Sequence, residues 1–399
     1  MERNEISAIA NGPPIKKRKL CKTKFIIGNN KDNGNSNDIM NELKDIVFQY
    51  ENGLRKTNAI EKGLITINEK IVKTETKVKN QDIIGHKIHR HEPPITSTPI
   101  NILHKENDLI VINKPASIPV HPSGRYRHNT VLHILKKEHG FSNDLHTINR
   151  LDRLTSGIML LALSKERAKE LEQQMQRRKI KKEYICRVFG KFPDGEIICE
   201  QPIKCVSHKL GLNIVDKNGK PSTTIFEKIS YNKNTSVVKC KPLTGRTHQI
   251  RVHLQYLGYP IANDPLYCNK KVWGSNLGKG GINEEAGDGR NEDDNDQPSI
   301  KNIIEKLSNE VGDDDEIDLN LKKTDNEQSK EKIDLMIGDK NEESDEYYCE
   351  ECNINKFPDP KPNQLLIWLH ALKYEGEGWE FKTDLPDWAE DNYIVIDEN

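Results

Sequence analysis

The apolar residues of this chain fall in short clusters separated by long polar stretches, and the spacing inside each cluster predicts an element. Residues 1–44 are rich in Asn, Lys, Gly and Asp and show no apolar period, so they read as a disordered basic tail. From 45 to 94 the pattern tightens. Ile60 to Gly63 reads as a helix end stopped by glycine, Leu64-Ile65-Thr66-Ile67 as a short strand and Asn68-Glu69 as a turn. A unit of about 50 residues buries little surface by itself, so this one is expected to lean on its neighbour.

The main body begins near Ile102. Leu109-Ile110-Val111-Ile112 reads as a buried strand ended by Asn113-Lys114-Pro115, and Val131–Glu138 suits a short helix. Asp152 then falls in a loop just ahead of Gly157 and the buried strand 158–163. Ser164 can cap the next helix, which turns Ala168, Leu171 and Met175 toward a core. Over 184–189 a β alternation puts Tyr184, Cys186 and Val188 on one face. Residues 236–240 read as a strand, Thr244-Gly245 as a turn, and Thr247 as the cap of a helix carrying Ile250, Leu254 and Leu257 inward. Residues 274–362 interrupt the body: acidic, Asn-rich and nearly free of aromatics, they are expected to be a disordered insertion. Order resumes at Leu365-Leu366-Ile367-Trp368-Leu369, and 379–388 reads as a last strand and a surface turn. Short strands with few helices indicate an α+β fold.

Composition sharpens this division. With 34% hydrophobic and 31% charged residues, the chain is too polar to be core throughout. The formal charge of −1 averages two opposites: residues 283–346 hold 23 acidic and 8 basic residues, a net of −15, and the rest carries +14. A basic body points to a polyanionic partner, and nucleic acid is the commonest one. The longest apolar run, 158–163, is far short of the roughly 18 residues of a membrane span. The start, Met-Glu-Arg-Asn-Glu, has no apolar signal stretch and is too acidic for a transit peptide. Cytoplasm or nucleus is expected; secretion and mitochondrial import are not. Lys16-Lys17-Arg18-Lys19 fits either a nuclear import signal or an RNA-touching arm. Cys349-Glu350-Glu351-Cys352 is the only Cys-x-x-Cys, and without a second pair no zinc site is expected.

Three segments carry candidate chemistry. In Asn149-Arg150-Leu151-Asp152-Arg153-Leu154-Thr155-Ser156-Gly157 one carboxylate stands between two guanidinium groups. Nearby positive charge lowers a carboxyl pKa, which suits a nucleophile or an anionic base; an ordinary loop salt bridge is the plainer alternative. In Thr244-Gly245-Arg246-Thr247-His248-Gln249-Ile250-Arg251-Val252-His253, His248 and Arg251 share a helix face at i,i+3 spacing. That face could meet phosphate or be a solvated basic surface. Lys182-Glu183-Tyr184 follows the basic strip Arg177-Arg178-Lys179 and Lys181; its tyrosine is either a core residue or a base-stacking one.

Together these segments resemble the RluA family, the large bacterial-type family of RNA pseudouridine synthases that modify ribosomal and transfer RNA. Besides Arg150-Leu151-Asp152-Arg153-Leu154-Thr155-Ser156-Gly157, Lys182-Glu183-Tyr184 and the Gly245 to Leu254 segment, the resemblance rests on Asn113-Lys114-Pro115 with Val120-His121-Pro122, on Asp264-Pro265-Leu266-Tyr267 and on Leu369-His370-Ala371, all in the family's order. It covers roughly 102–273 and 365–388. Asn149-Arg150, where most relatives have His-Arg, is similar to the eukaryotic subgroup acting on the tRNA anticodon loop at position 32. Ser117 stands at a usual glycine.

The resemblance implies a pseudouridine synthase catalytic fold, a mixed, mainly antiparallel sheet with flanking helices and a central cleft, over 100–273 and 363–390, plus a small S4-like RNA-binding unit over 45–94. It implies conversion of uridine to pseudouridine without cofactor or metal, in RNA and foremost tRNA, by a monomer. Asp152 would be the catalytic aspartate, attacking the sugar or removing its 2′ proton. Arg251 would be its ion-pair partner, Tyr184 would stack on a uracil turned out of the helix, and Arg150 would fill the vacated place. Arg246 and His248 would bind substrate, and Arg177, Arg178, Lys179, Lys181 and Lys182 would hold phosphates. The alternatives are a non-catalytic RNA-binding protein on the same scaffold, or the same enzyme acting on rRNA or mRNA.

Overall fold

The structure is a computed structural model that describes residues 21–26, 59–88, 91–141, 145–208, 210–282, 299–310, 348–349, 354–355 and 360–393. They fall into two units, one drawn from 1–92 and 316–359, the other from 93–315 and 360–399.

In the first unit β1 (Cys21–Ile26), β2 (Ile65–Ile67), β3 (Lys70–Ile71) and β4 (Ile83–Ile88) form an antiparallel sheet in the order β1-β4-β2-β3. Asn68 and Glu69, with φ of 49° and 68°, supply the left-handed pair that a two-residue hairpin turn requires. The expected disordered tail over 1–44 is corrected at β1. There the backbone pairs with β4, whose open edge supplies the strand with hydrogen-bond partners. The basic run 16–19 lies outside the described residues.

The second unit contains β5 (Asn101–Glu106), β6 (Leu109–Lys114), α1 (Val131–Glu138), β7 (His146–Thr147), β8 (Ser156–Ala162), α2 (Lys165–Gln176), β9 (Lys181–Phe189), β10 (Glu196–Cys199), β11 (Ile203–Ser207), β12 (Leu212–Val215), β13 (Thr224–Tyr231), β14 (Thr235–Pro242), α3 (Gln249–Tyr256), α4 (Lys270–Trp273) and α5 (Ile300–Glu310). A hairpin of β15 (Tyr348–Cys349) and β16 (Ile354–Asn355) belongs to the first unit; β17 (Leu369–Gly376) and β18 (Trp379–Lys382) complete the second. Its sheet runs β10-β13-β14-β9-β17-β8-β6-β5, with β7 beside β8 and β18 beside β17. All its pairings are antiparallel except β17 with β8. The C-terminal strand therefore enters the middle of the sheet, between β9 and β8.

Gly157 permits that insertion. Its φ is 109°, and a Cβ there would lie 2.3 Å from the Ala371 carbonyl oxygen, so any side chain would push β17 out of register. β8 is the core strand, with Ile158, Met159, Leu160, Leu161 and Ala162 fully buried. Ser164 caps α2 by accepting the Arg167 N–H, and Ala168 and Leu171 are buried beneath it.

A second cluster joins Ile203, Leu212, Ile214, Val252, Tyr267, Val272 and Trp273 to Ile303 and Leu307 of α5. The expected disordered insertion over 274–362 is thus corrected at α5. Ile300, Ile303, Ile304 and Leu307 recur at helical spacing inside acidic surroundings, and the helix forms because this cluster covers its apolar stripe. The expected surface turn near residue 388 is corrected too: Trp388 is buried, and its carbonyl accepts from the buried guanidinium of Arg187.

Candidate active site

Asp152 lies on the loop between β7 and β8, with its side chain 30% exposed. Two groups from α3 and its N-terminus reach the same oxygen: Arg251 Nη1 at 3.3 Å from Oδ2, and His248 Nε2 at 3.6 Å. Among the described residues, Oδ1 is left as the oxygen open to a ligand. Burial works against ionisation of Asp152, but His248, charged only in the acid range where Asp152 itself titrates, Arg251 and, behind them, Lys114 outweigh it, so the pKa lies below the ordinary carboxylate value. The sequence reading credited this to Arg150 and Arg153. That is corrected: Arg150 is exposed, and Arg153 lies over the Tyr126 ring at 5.8 Å. The effective charges come from distant segments that folding brings together.

Arg251 is fixed from behind. Its Nε and Nη2 donate to Asp264 Oδ2 and Oδ1 at 2.6 and 2.9 Å, the fork-to-fork geometry that only arginine offers a carboxylate. Asp264 also accepts from the Leu266 and Tyr267 amides, so this carboxylate is itself held rigidly. Burial resists the charge on Arg251, yet Asp264 and Asp152 raise its pKa above even the ordinary guanidinium value.

His248 is oriented by the same loop. The Asn213 N–H donates to Tyr267 Oη at 3.1 Å, so the hydroxyl hydrogen is available to His248 Nδ1 at 3.0 Å. That bond makes Nδ1 the acceptor and puts the ring hydrogen on Nε2, facing Asp152. Burial and Arg251 push the His248 pKa down to about 4, so the ring is neutral at pH 7 and Arg251 is the permanent positive partner. Thr247 was expected to cap α3; instead His248 is the capping residue, in the left-handed conformation at φ 56°. The helix presents no solvated basic face, since Gln249, Ile250, Arg251, Val252, His253, Leu254 and Gln255 are all buried.

Lys114 closes the floor. Its fully buried ammonium donates to the carbonyls of Pro115, Ile118 and Arg153 at 2.8, 2.9 and 3.2 Å, tying the loop after β6 to the Asp152 loop. Burial pulls its pKa down to about 7, while three carbonyl acceptors match the three protons of the charged form.

Tyr184, on β9, is buried, and its hydroxyl lies 2.7 Å from that of Tyr374 on β17. Lys182, two residues earlier, shares that face; it is half-buried, and a Cβ added to Gly245 would sit 3.7 Å from its Nζ. The basic strip is divided by the strand alternation. Lys181 pairs with Glu375 at 2.9 Å and Lys179 with Glu377 at 3.7 Å. Arg177 and Arg178 are exposed beyond the end of α2. Arg246 is exposed, its Nε donating to the Pro221 carbonyl at 3.3 Å. The fold thus assembles Asp152, His248 and Arg251 directly, and leaves Arg150, Arg246, Arg177 and Arg178 on the surface.

The sequence reading assigned no role to Lys114, Asp264 or Tyr267, although the segments holding them were noted; Tyr374 carried no signal at all. Among the described residues no three His, Cys, Asp or Glu side chains are grouped to hold a metal ion. Cys352 lies outside them.

The family described as RNA pseudouridylate synthase matches residues 108–256. The chain is 42% identical over 343 residues to the tRNA pseudouridine(32) synthase, mitochondrial, of Saccharomyces cerevisiae, covering 83% of this chain and 68% of that one. It is 40% identical over 365 residues to pseudouridylate synthase RPUSD2 of Homo sapiens, covering 84% and 66%. It is 31% identical over 353 residues to the tRNA pseudouridine(31) synthase of the same yeast, covering 79% and 80%.

Proposed function

The chain belongs to the RluA-type family of RNA pseudouridine synthases, and on that premise we propose that it isomerises uridine to pseudouridine in the tRNA anticodon loop, at position 32. It spans about two thirds of the length of the yeast and human relatives just described, 68% and 66%. The observation that carries the reading is a single open carboxylate, Asp152, held by an arginine that a second carboxylate, Asp264, fixes in place.

In the isomerisation the C1′–N1 bond breaks, the uracil turns, and a C1′–C5 bond forms; C5 releases a proton and N1 accepts one. Nothing is oxidised or reduced. Asp152 is suited to act on the ribose through Oδ1, because Arg251 and His248 occupy Oδ2 and keep the group anionic. Arg150, Arg246, Arg177, Arg178 and Lys182 offer cations to the RNA backbone around the loop. The small sheet of the first unit supports an S4-like role in holding RNA. The name of the yeast relative includes a mitochondrial location, which sets that compartment beside the nucleus and cytoplasm as places to look for this protein.

The test is pseudouridine mapping on tRNA treated with the purified protein. Asp152→Asn should abolish tritium release from [5-³H]uridine-labelled tRNA while RNA affinity stays within a few fold, because amide for carboxylate removes the anion and little volume. Turnover by this variant would refute the assignment.

A further inference from the structure

Asn149, Tyr374 and Tyr184 form a hydrogen-bonded chain that the ribose chemistry of Asp152 leaves unused. The backbone N–H of Leu160 can only donate, and it donates to Asn149 Oδ1 at 3.0 Å. The amide is thereby oriented, and its Nδ2 donates to Tyr374 Oη at 3.1 Å. Tyr374 is fully buried, and among the described residues its hydroxyl hydrogen has one acceptor, Tyr184 Oη at 2.7 Å. Among the described residues one of the two hydroxyl hydrogens in this pair must go without a partner, and that costs less at Tyr184, 9% exposed, than at Tyr374, 0% exposed, so the favoured direction runs from Leu160 through Asn149 and Tyr374 to Tyr184. The hydroxyl hydrogen of Tyr184 is then the one left over, and no further acceptor for it is found among the described residues.

The sheet is shaped to allow this. Ala371 pairs with Tyr184 and Tyr374 with Lys182, and the register of β17 against β9 shifts between Ala371 and Lys373. In a regular strand residues three apart face opposite sides. The irregularity puts Ala371 and Tyr374 on the same side, with Tyr184.

Building on the family assignment, we infer that Asn149 and Tyr374 are positioning residues that aim the Tyr184 hydroxyl as a hydrogen-bond donor at a carbonyl oxygen of the flipped uracil. The pyrimidine ring presents two such oxygens, at C2 and C4, and turning the base between N1 and C5 attachment requires holding the ring in a defined orientation. Burial supports the donor role, since it pushes the Tyr184 pKa up to about 12 and keeps the phenol protonated.

The experiment compares wild type, Tyr374→Phe, Tyr184→Phe and the double variant in single turnover at saturating protein on an anticodon stem-loop, with RNA affinity and melting temperature measured alongside. Tyr374→Phe should slow the reaction about three- to tenfold, the worth of one neutral hydrogen bond, with affinity within twofold. In the Tyr184→Phe background the same change should cost nothing further. Equal cost in both backgrounds, or no cost with Tyr184 present, overturns the inference. Substrates with 2-thiouridine or 4-thiouridine at the target identify the oxygen, because sulfur accepts hydrogen bonds weakly: one of them should erase the difference between Tyr184 and Phe at that position. If neither narrows it, the donor role is wrong. A wild-type protein that forms no pseudouridine would instead refute the family-based activity.

Discussion

At the scale of single residues, the site separates a permanent charge from a neutral, oriented imidazole. Arg251 stays charged at any working pH, and His248, at about 4, stays neutral above that value. The Asp152 pKa is depressed, so its anion is present above the carboxylate range and is lost only as pH falls through it. Tyr184, at about 12, titrates far to the alkaline side. Between about pH 5.5 and about pH 9 none of these four groups titrates, whereas Lys114, at about 7, does, so single-turnover rates should be flat there except for a fall as the Lys114 ammonium loses its proton. Replacing Arg251 by glutamine removes one depressing charge and should move the acid limb upward. A wild-type limb near the ordinary histidine value of about 6.5 that disappears in His248→Asn would mean that His248 titrates in the working range and that its environment has been misread.

At the scale of elements, the boundary between α2 and β9 decides which cations meet RNA. Strand pairing commits Lys181 to Glu375, and Lys179 lies within ion-pair distance of Glu377, whereas Arg177 and Arg178 emerge where the helix has ended. Arg178 holds a left-handed backbone at φ 56°, which turns the chain sharply from helix into strand. Replacing Arg177 and Arg178 together by alanine should weaken RNA binding and flatten its salt dependence by roughly 0.7–0.9 log unit for each phosphate no longer neutralised. The rate of the bound complex should change little, because such cations position the backbone and do not touch the reacting base. Affinities titrated across several salt concentrations decide this, and a slope equal to wild type would leave the two arginines no part in binding.

At the scale of the molecule, the second cluster is what makes the acidic segment divisible. Ile303 and Leu307 pack with Val252 of α3 and with Tyr267, the residue that orients His248. Ile303→Ala or Leu307→Ala should lower stability by about 2–4 kcal/mol, the usual cost of a buried large-to-small change, seen as a reduced melting temperature. Removal of 311–347 should leave both stability and turnover near wild type, since the residues that close the cluster are retained. Loss of folding in that deletion would show that the segment contributes more than α5.

The elements were legible in the sequence because they depend on local rules. The helix Val131–Glu138, the cap at Ser164, the turn at Asn68-Glu69 and the common face of Tyr184, Cys186 and Val188 follow from periodicity and backbone chemistry. The pairing of Asp152 with Arg251 across 99 positions followed from resemblance to a known family and not from local rules; the two side chains lie 3.3 Å apart. Which charges depress Asp152, by contrast, was decided by tertiary structure: its sequence neighbours Arg150 and Arg153 turn away, and Lys114, His248 and Arg251 converge from other elements. Asp264 behind Arg251, and Tyr374 behind Tyr184 across 190 positions, were likewise invisible, as was the register shift that aims Tyr374. Coulomb forces and hydrogen bonds act through distance in space, and only a completed sheet, with its C-terminal strand inserted at the centre, converts positions along the chain into such distances.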